Sequence, residues 1–314
     1  MEELSFMNHN VRINEAAVNR RAATLQEFKL QNDDALAAWL LRAVTFIDLT
    51  TLGGDDCESN VARLCRKAKN PISQDILHLL LGTNSQKKIT TAAVCVYPAM
   101  VPHAKNTMDT IGSNLPIASV AAGFPSGLYP LETRVREIEL AVQAGATEID
   151  IVVERHLVIS RNWSQLYKDT MAMKKACGEA HLKTILAVGE LGTLENIYNA
   201  SIVTMFAGSD FIKTSTGKEA VNATLPSGLV MCRAIRDYYA ITGRKVGLKP
   251  AGGLRTANDA VVWMNMIREE LGMDWLNPHL FRIGASGLLG NIERSLLELA
   301  TGHKEPTFIP IPAM

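Results

Sequence analysis

Apolar and polar positions along the 314-residue chain change rhythm repeatedly. Short runs rich in Val, Ile and Thr alternate with longer stretches whose apolar residues recur at helical spacing. Strands are expected over 44–49, 90–96, 117–121, 148–153, 183–188, 210–214, 245–249 and 281–285. Helical stretches are expected at 59–69, 131–144, 163–180, 194–208, 225–242 and 288–300. Strands that alternate with helices imply a parallel sheet joined by crossovers. Eight such units in a chain of this length favour a closed (β/α)8 or TIM barrel, within the α/β class, over an open sheet. No GxGxxG follows an early strand, which weakens the doubly wound alternative.

Before the first strand the pattern is polar and mixed, with helical spacing over 16–28. Asp33 and Asp34 are expected to cap a helix over 35–43 whose apolar face carries Leu36, Trp39, Leu40 and Ala43. Pro306, Pro310 and Pro312 predict an irregular end. The expected organisation is a helical extension over 1–40, one barrel over 41–301 and a tail over 302–314.

In such a barrel the chemistry gathers at the C-terminal ends of the strands. Two lysines stand there. Lys213 closes Asp210-Phe211-Ile212-Lys213 and runs into Thr214-Ser215-Thr216-Gly217-Lys218; Lys249 closes a similar run and leads into Pro250-Ala251-Gly252-Gly253. Lysine is rarely buried without a partner, and an amine held near a second cation is one way to make a nucleophile. Asp150, set among Ile149, Ile151 and Val152, meets a helix layer if it points outward and the lysines if it points inward. Asp48 and Thr50 end the first strand, Cys95 lies in the second and Lys183 opens the fifth. A purely structural ion cluster is the bland alternative, but buried ion pairs often add little net stability. For Cys95, simple packing is an equal reading.

Glycines make a second constellation. Gly217 and Lys218 follow the sixth strand, and Gly252 and Gly253 the seventh. Gly284, Ser286 and Gly287 follow the eighth and run into a helix. Glycines let backbone N–H groups approach an anion, and a helix N-terminus adds its dipole. Loops at these positions are the usual phosphate seat of the fold.

Composition removes several function classes. Lys and Arg number 32, as do Asp and Glu, so the formal net charge is zero. That balance predicts no footprint for nucleic acid or an anionic membrane. No apolar run has bilayer-spanning length, and the acidic start Met1-Glu2-Glu3-Leu4 lacks the apolar core of a signal peptide. Five cysteines without a CxxC predict reduced thiols in the cytoplasm, with a nuclear fraction left open. Cys177 and His181 could share a helix face, but a zinc site would need two more ligands.

Phe211-Ile212-Lys213-Thr214-Ser215-Thr216-Gly217-Lys218, Lys249-Pro250-Ala251-Gly252-Gly253 and Asp48-Leu49-Thr50-Thr51-Leu52 resemble the signatures of the deoxyribose-phosphate aldolases. Thr147-Glu148-Ile149-Asp150-Ile151-Val152 and Gly284-Ala285-Ser286 match as well, and the likeness runs over 41–300. The N-terminal extension and the segment 178–184 are similar to the animal-type branch.

The resemblance implies a class I aldolase without metal or cofactor. Such enzymes cleave 2-deoxy-D-ribose 5-phosphate reversibly to acetaldehyde and D-glyceraldehyde 3-phosphate, in deoxyribonucleoside catabolism. It implies that Lys213 forms a Schiff base while Lys249 and Asp150 handle protons. Lys183, Cys95, Asp48, Thr50 and Thr216 would line the site; Gly217, Lys218, Gly252, Gly253, Gly284, Ser286 and Gly287 would hold the phosphate. Free lysine titrates near pH 10.4, and making it neutral near pH 7 costs roughly 4 kcal/mol against its charged form.

Two departures stand out. Many members of the family carry a second hydroxyl residue where this chain has Gly287, and no tyrosine follows Tyr239 to take the proton-transfer place of a C-terminal tyrosine in bacterial members. Other readings are a transaldolase, an aldolase for longer sugar phosphates, a phosphate-binding isomerase without an imine, and a non-catalytic interaction protein. A homo-oligomer and a protein partner of the N-terminal extension remain open.

Overall fold

The computed structural model describes residues 11–83 and 88–302. Eight parallel strands form one sheet: β1 Ile47–Thr50, β2 Ala93–Val96, β3 Ile117–Val120, β4 Glu148–Val152, β5 His181–Ile185, β6 Phe211–Lys213, β7 Gly247–Lys249 and β8 Ile283–Ala285. From β1 to β7 each pairs with the next in sequence, and β1 also pairs with β8. Between β7 and β8 the seam closes through two isolated bridges, Leu248 to Phe281 and Ala251 to Gly284. The expected (β/α)8 barrel is the fold.

Side-chain parity follows from the pleat. Ile149 and Ile151 of β4, like Leu49, Val94, Leu182, Ile212, Leu248 and Ile283, belong to the apolar layer shared with the surrounding helices. The alternate residues face the barrel axis. On one side these are Cys95, Ala118 and Val120, covered by Leu52, Tyr97 and Phe124. On the other they are charged.

Boundaries differ from expectation where helices and caps intervene. The helix before β1, Asp33–Val44, continues through Val44, so β1 begins at Ile47 rather than at 44. Its cap is Asn32, whose extended backbone lets its side chain accept the Ala35 N–H at 2.8 Å. Asp33 and Asp34 instead occupy the first turn, where their charges favour the positive end of the helix dipole. β5 begins at His181, two residues before Lys183, and ends at Ile185; Val188–Glu190 is a separate 3-10 turn. The helix Trp163–Ala176 ends before Cys177, and exposed His181 already belongs to β5, so the two share no helix face. The Cys177 thiol instead donates to the Met173 carbonyl at 3.2 Å.

In the N-terminal region, the helix Glu15–Gln26 buries Val18, Ala22 and Leu25 across the outer helices Leu225–Thr242 and Ala257–Leu271. Asp33–Val44 packs on Ala257–Leu271 and Leu288–Thr301. The tail expected over 302–314 lies, beyond Gly302, outside the described residues.

Candidate active site

Strand register sets the site. Asp150 of β4 stands opposite Lys183 of β5, and Lys213 of β6 opposite Lys249 of β7. All four side chains are almost wholly buried. Asp150 is the hub: its Oδ2 accepts from Lys213 Nζ and Lys249 Nζ, each at 2.7 Å, and its Oδ1 from Lys183 Nζ at 3.1 Å. Asp48 pairs with Lys249 at 2.5 Å and with Lys183 at 3.3 Å.

Two residues that end-of-strand reasoning misses complete the cluster. Glu148 takes Lys183 Nζ at 2.5 Å, and Arg282 bridges Glu148 at 2.8 Å and Asp48 at 2.6 Å. The interior thus gathers Lys183, Lys213, Lys249 and Arg282 against Asp48, Glu148 and Asp150. Four bases face three carboxylates. In a medium where an unpaired charge is costly, one neutral base balances the set.

Burial and neighbours select which base. Burial disfavours the charged form of Lys213, and the Lys249 cation adds to this; together they outweigh the pull of Asp150, so the Lys213 pKa falls below the ordinary lysine value. Burial acts on Lys249 in the same direction, but Asp150 and Asp48 more than compensate, and its pKa rises. Burial alone would raise Asp150, yet Lys183, Lys213 and Lys249 hold it well below the usual carboxylate range. The result is an amine easily made neutral, beside a firm ammonium and a firm carboxylate.

Above this cluster opens a cavity of about 580 Å³. Lys213 reaches it from below, and Thr50, Thr216, Gly217, Lys218, Gly252, Gly253, Gly284, Ser286 and Gly287 line it. The expected phosphate residues therefore converge. Asp48, Lys183 and Cys95 lie beneath the cavity or beside it rather than on its wall. Burial pushes the Cys95 thiol pKa up, leaving a small neutral side chain in the apolar wall with Ala118 and Val120.

Glycine is required at two of these positions. Gly252 has φ +77°, and a Cβ there would lie 2.6 Å from the Asn222 side chain. At Gly284 a Cβ would lie 2.9 Å from Ala251 Cβ and 3.2 Å from Lys249 Cε, so its absence leaves room for the lysine stem. Gly287 differs. It precedes the helix Leu288–Thr301 in a right-handed conformation, and a Cβ there would meet nothing within 4 Å.

Comparison with known proteins supplies the lineage. The model of the DeoC/LacD family of aldolases matches residues 42–274. A human deoxyribose-phosphate aldolase is 57% identical over 301 residues, covering 96% of this chain and 94% of that protein. A putative deoxyribose-phosphate aldolase of Caenorhabditis elegans is 48% identical over 272 residues, covering 86% of this chain and 85% of that protein. Among solved structures, a putative deoxyribose-phosphate aldolase from Toxoplasma gondii ME49 superposes with a TM-score of 0.70 at 21% identity, covering 87% of this chain and 98% of that one. A deoxyribose phosphate aldolase from Aeropyrum pernix, described as a unique tetrameric structure, gives a TM-score of 0.62 at 21% identity, covering 90% and 99%. The structural likenesses establish the barrel, and the sequence matches carry the lineage: the chain belongs to the DeoC/LacD family of aldolases.

Proposed function

We propose that the chain is a deoxyribose-phosphate aldolase, cleaving 2-deoxy-D-ribose 5-phosphate to acetaldehyde and D-glyceraldehyde 3-phosphate through an imine on Lys213. The observation that carries this reading is the pair of lysine amines on one oxygen of Asp150, beneath a glycine-lined cavity. Supporting it, the human relative that bears this name is 57% identical to the chain over 301 residues.

Neutral Lys213 attacks the C1 aldehyde, and loss of water gives the protonated imine. Asp150 accepts the proton of the C3 hydroxyl as the C2–C3 bond breaks; its electrons move into the imine, forming an enamine, and C3 leaves as the new aldehyde of glyceraldehyde 3-phosphate. The enamine takes a proton at C2, and water then releases acetaldehyde and free Lys213. Lys249 keeps Asp150 ionised and keeps Lys213 poor in protons. The glycine rim of the cavity suits the phosphate. Such a reaction belongs in deoxyribonucleoside breakdown.

Borohydride trapping with acetaldehyde, followed by peptide mass spectrometry, tests the imine. An ethyl group on Lys213 alone is the expected result. An adduct on Lys249 would exchange the lysine roles, and none on folded protein would favour an isomerase or a non-catalytic barrel.

Two variants test the supporting roles. Asp150→Asn is expected to keep the barrel folded and to lower kcat by about 10²–10⁴-fold. Deuterium uptake into the acetaldehyde methyl group reads the proton step at C2 without bond cleavage, and undiminished uptake would confine Asp150 to the C3 hydroxyl. Gly287→Ser adds a hydroxyl where the cavity has space. It is expected to improve KM for the phosphorylated substrate by about 2–12-fold, the worth of one hydrogen bond of about 0.5–1.5 kcal/mol. An unchanged KM would mean that the backbone N–H groups already suffice.

A further inference from the structure

Arg155 takes no part in the chemistry above, yet it joins four loops at the barrel mouth. It opens the short helix Arg155–Ile159 after β4. Its Nη1 donates to the Pro125 carbonyl at 3.0 Å and to the Ser126 carbonyl, both in the segment after β3. Nε faces Glu190 Oε2 at 2.7 Å, after β5, and Nη2 lies 3.8 Å from Glu219 Oε1, after β6.

Glu219 is the informative partner. Its side chain is 1% exposed, and both of its oxygens accept from the Thr216 backbone N–H, at 3.0 and 3.2 Å. Together with the bond from Lys218 N–H to Thr216 Oγ1 at 3.0 Å, this closes the turn that places Gly217 and Lys218 on the cavity wall. The turn therefore holds a buried carboxylate next to the seat of a phosphate. Like charges repel more strongly away from bulk water, so an unpaired carboxylate in this turn would weaken phosphate binding unless a cation faced it. Arg155 is that cation.

We propose that Arg155 is a positioning residue for phosphate recognition: it neutralises and anchors Glu219, which fixes the Thr216–Lys218 backbone against the phosphate. The inference rests on the proposed function only for the identity of the phosphorylated ligand.

Arg155→Leu is expected to raise KM for 2-deoxyribose 5-phosphate about tenfold, the size of one lost charge-assisted contact. The KM for unphosphorylated 2-deoxyribose should stay as it was, and kcat should change less than about twofold. In a Glu219→Gln background the amide oxygen still accepts the Thr216 N–H, but no charge needs a partner. There Arg155→Leu should move KM by no more than about twofold. A side chain that merely braced the Pro125 and Ser126 carbonyls would act equally in both backgrounds and on both sugars. That outcome, or an unchanged KM, overturns the proposal. Should Arg155→Leu fail to fold, Arg155→Lys keeps the cation but loses the fork, and about a threefold rise confined to the phosphorylated sugar is expected. Calorimetric titration with inorganic phosphate reads the same turn without turnover, with Kd expected to rise about tenfold in Arg155→Leu. A protein that binds phosphate in this way but leaves the sugar phosphate uncleaved would overturn the proposed function and leave the role of Arg155 standing.

Discussion

Replacing Lys213 with leucine is expected to abolish cleavage of 2-deoxyribose 5-phosphate, lowering kcat by at least about four orders of magnitude. The reason is topological as well as chemical. Lys213 is the lysine of the buried cluster that reaches the cavity; Lys183 and Lys249 are shut beneath it and are tied to carboxylates. Neither can take over the imine without breaking an ion pair. The loss should leave the barrel intact, because Asp150 keeps Lys183 and Lys249, and removal of Lys213 leaves three bases facing three carboxylates. Steady-state kinetics, with circular dichroism as the fold control, decides it. Residual turnover above about one per cent of the parent would mean that the covalent step lies elsewhere.

Lys249→Leu is expected to act through pH. The Lys213 pKa is held down first by burial and then by the Lys249 cation. Removing that cation leaves burial but deletes the repulsion, and it also frees Asp150 to favour a charged Lys213. Both consequences raise the Lys213 pKa. The acid limb of kcat/KM, which reports deprotonation of the free amine, should therefore move to higher pH by at least about one unit, equivalent to roughly 1.4 kcal/mol. At neutral pH the rate should fall by up to about tenfold for each unit of that move, for this reason alone. A profile lower in height but unmoved in pH would assign Lys249 to proton delivery rather than to tuning Lys213.

Much of the barrel was legible because alternation in a strand reports which side chains face the axis. Ile149-Asp150-Ile151 places one charge inward among apolar neighbours, and the structure brings that charge to the lysines that end β6 and β7. The lower tier was harder to read. Glu148 shares the inward face of Asp150, but attention to the C-terminal strand ends passes over it, and Arg282 lies just before β8 begins at Ile283. The signal was available as period-two spacing of charges within one short strand. The cap at Asn32 was missed because three consecutive residues, Asn32, Asp33 and Asp34, can each serve. Which one does so depends on where the backbone leaves the extended region, and that is set by how the helix seats on the barrel. Arg155 and Glu219 carry no local mark at all; their pairing exists only once four loops meet.

The arithmetic of the buried cluster has a consequence for how such a chain can diverge. Asp48, Glu148 and Arg282 sit away from the cavity, and each is bound to another charge of the set. A lone exchange of Arg282 for a neutral residue leaves three bases facing three carboxylates and draws Lys213 to its charged form, whereas loss of Asp48 or Glu148 leaves a second base without a counter-charge beside it. A drift at the floor of the barrel is thereby felt as a change of nucleophile at its mouth. Viable lineages would replace these three in compensating pairs, keeping the tally of charges while changing its members.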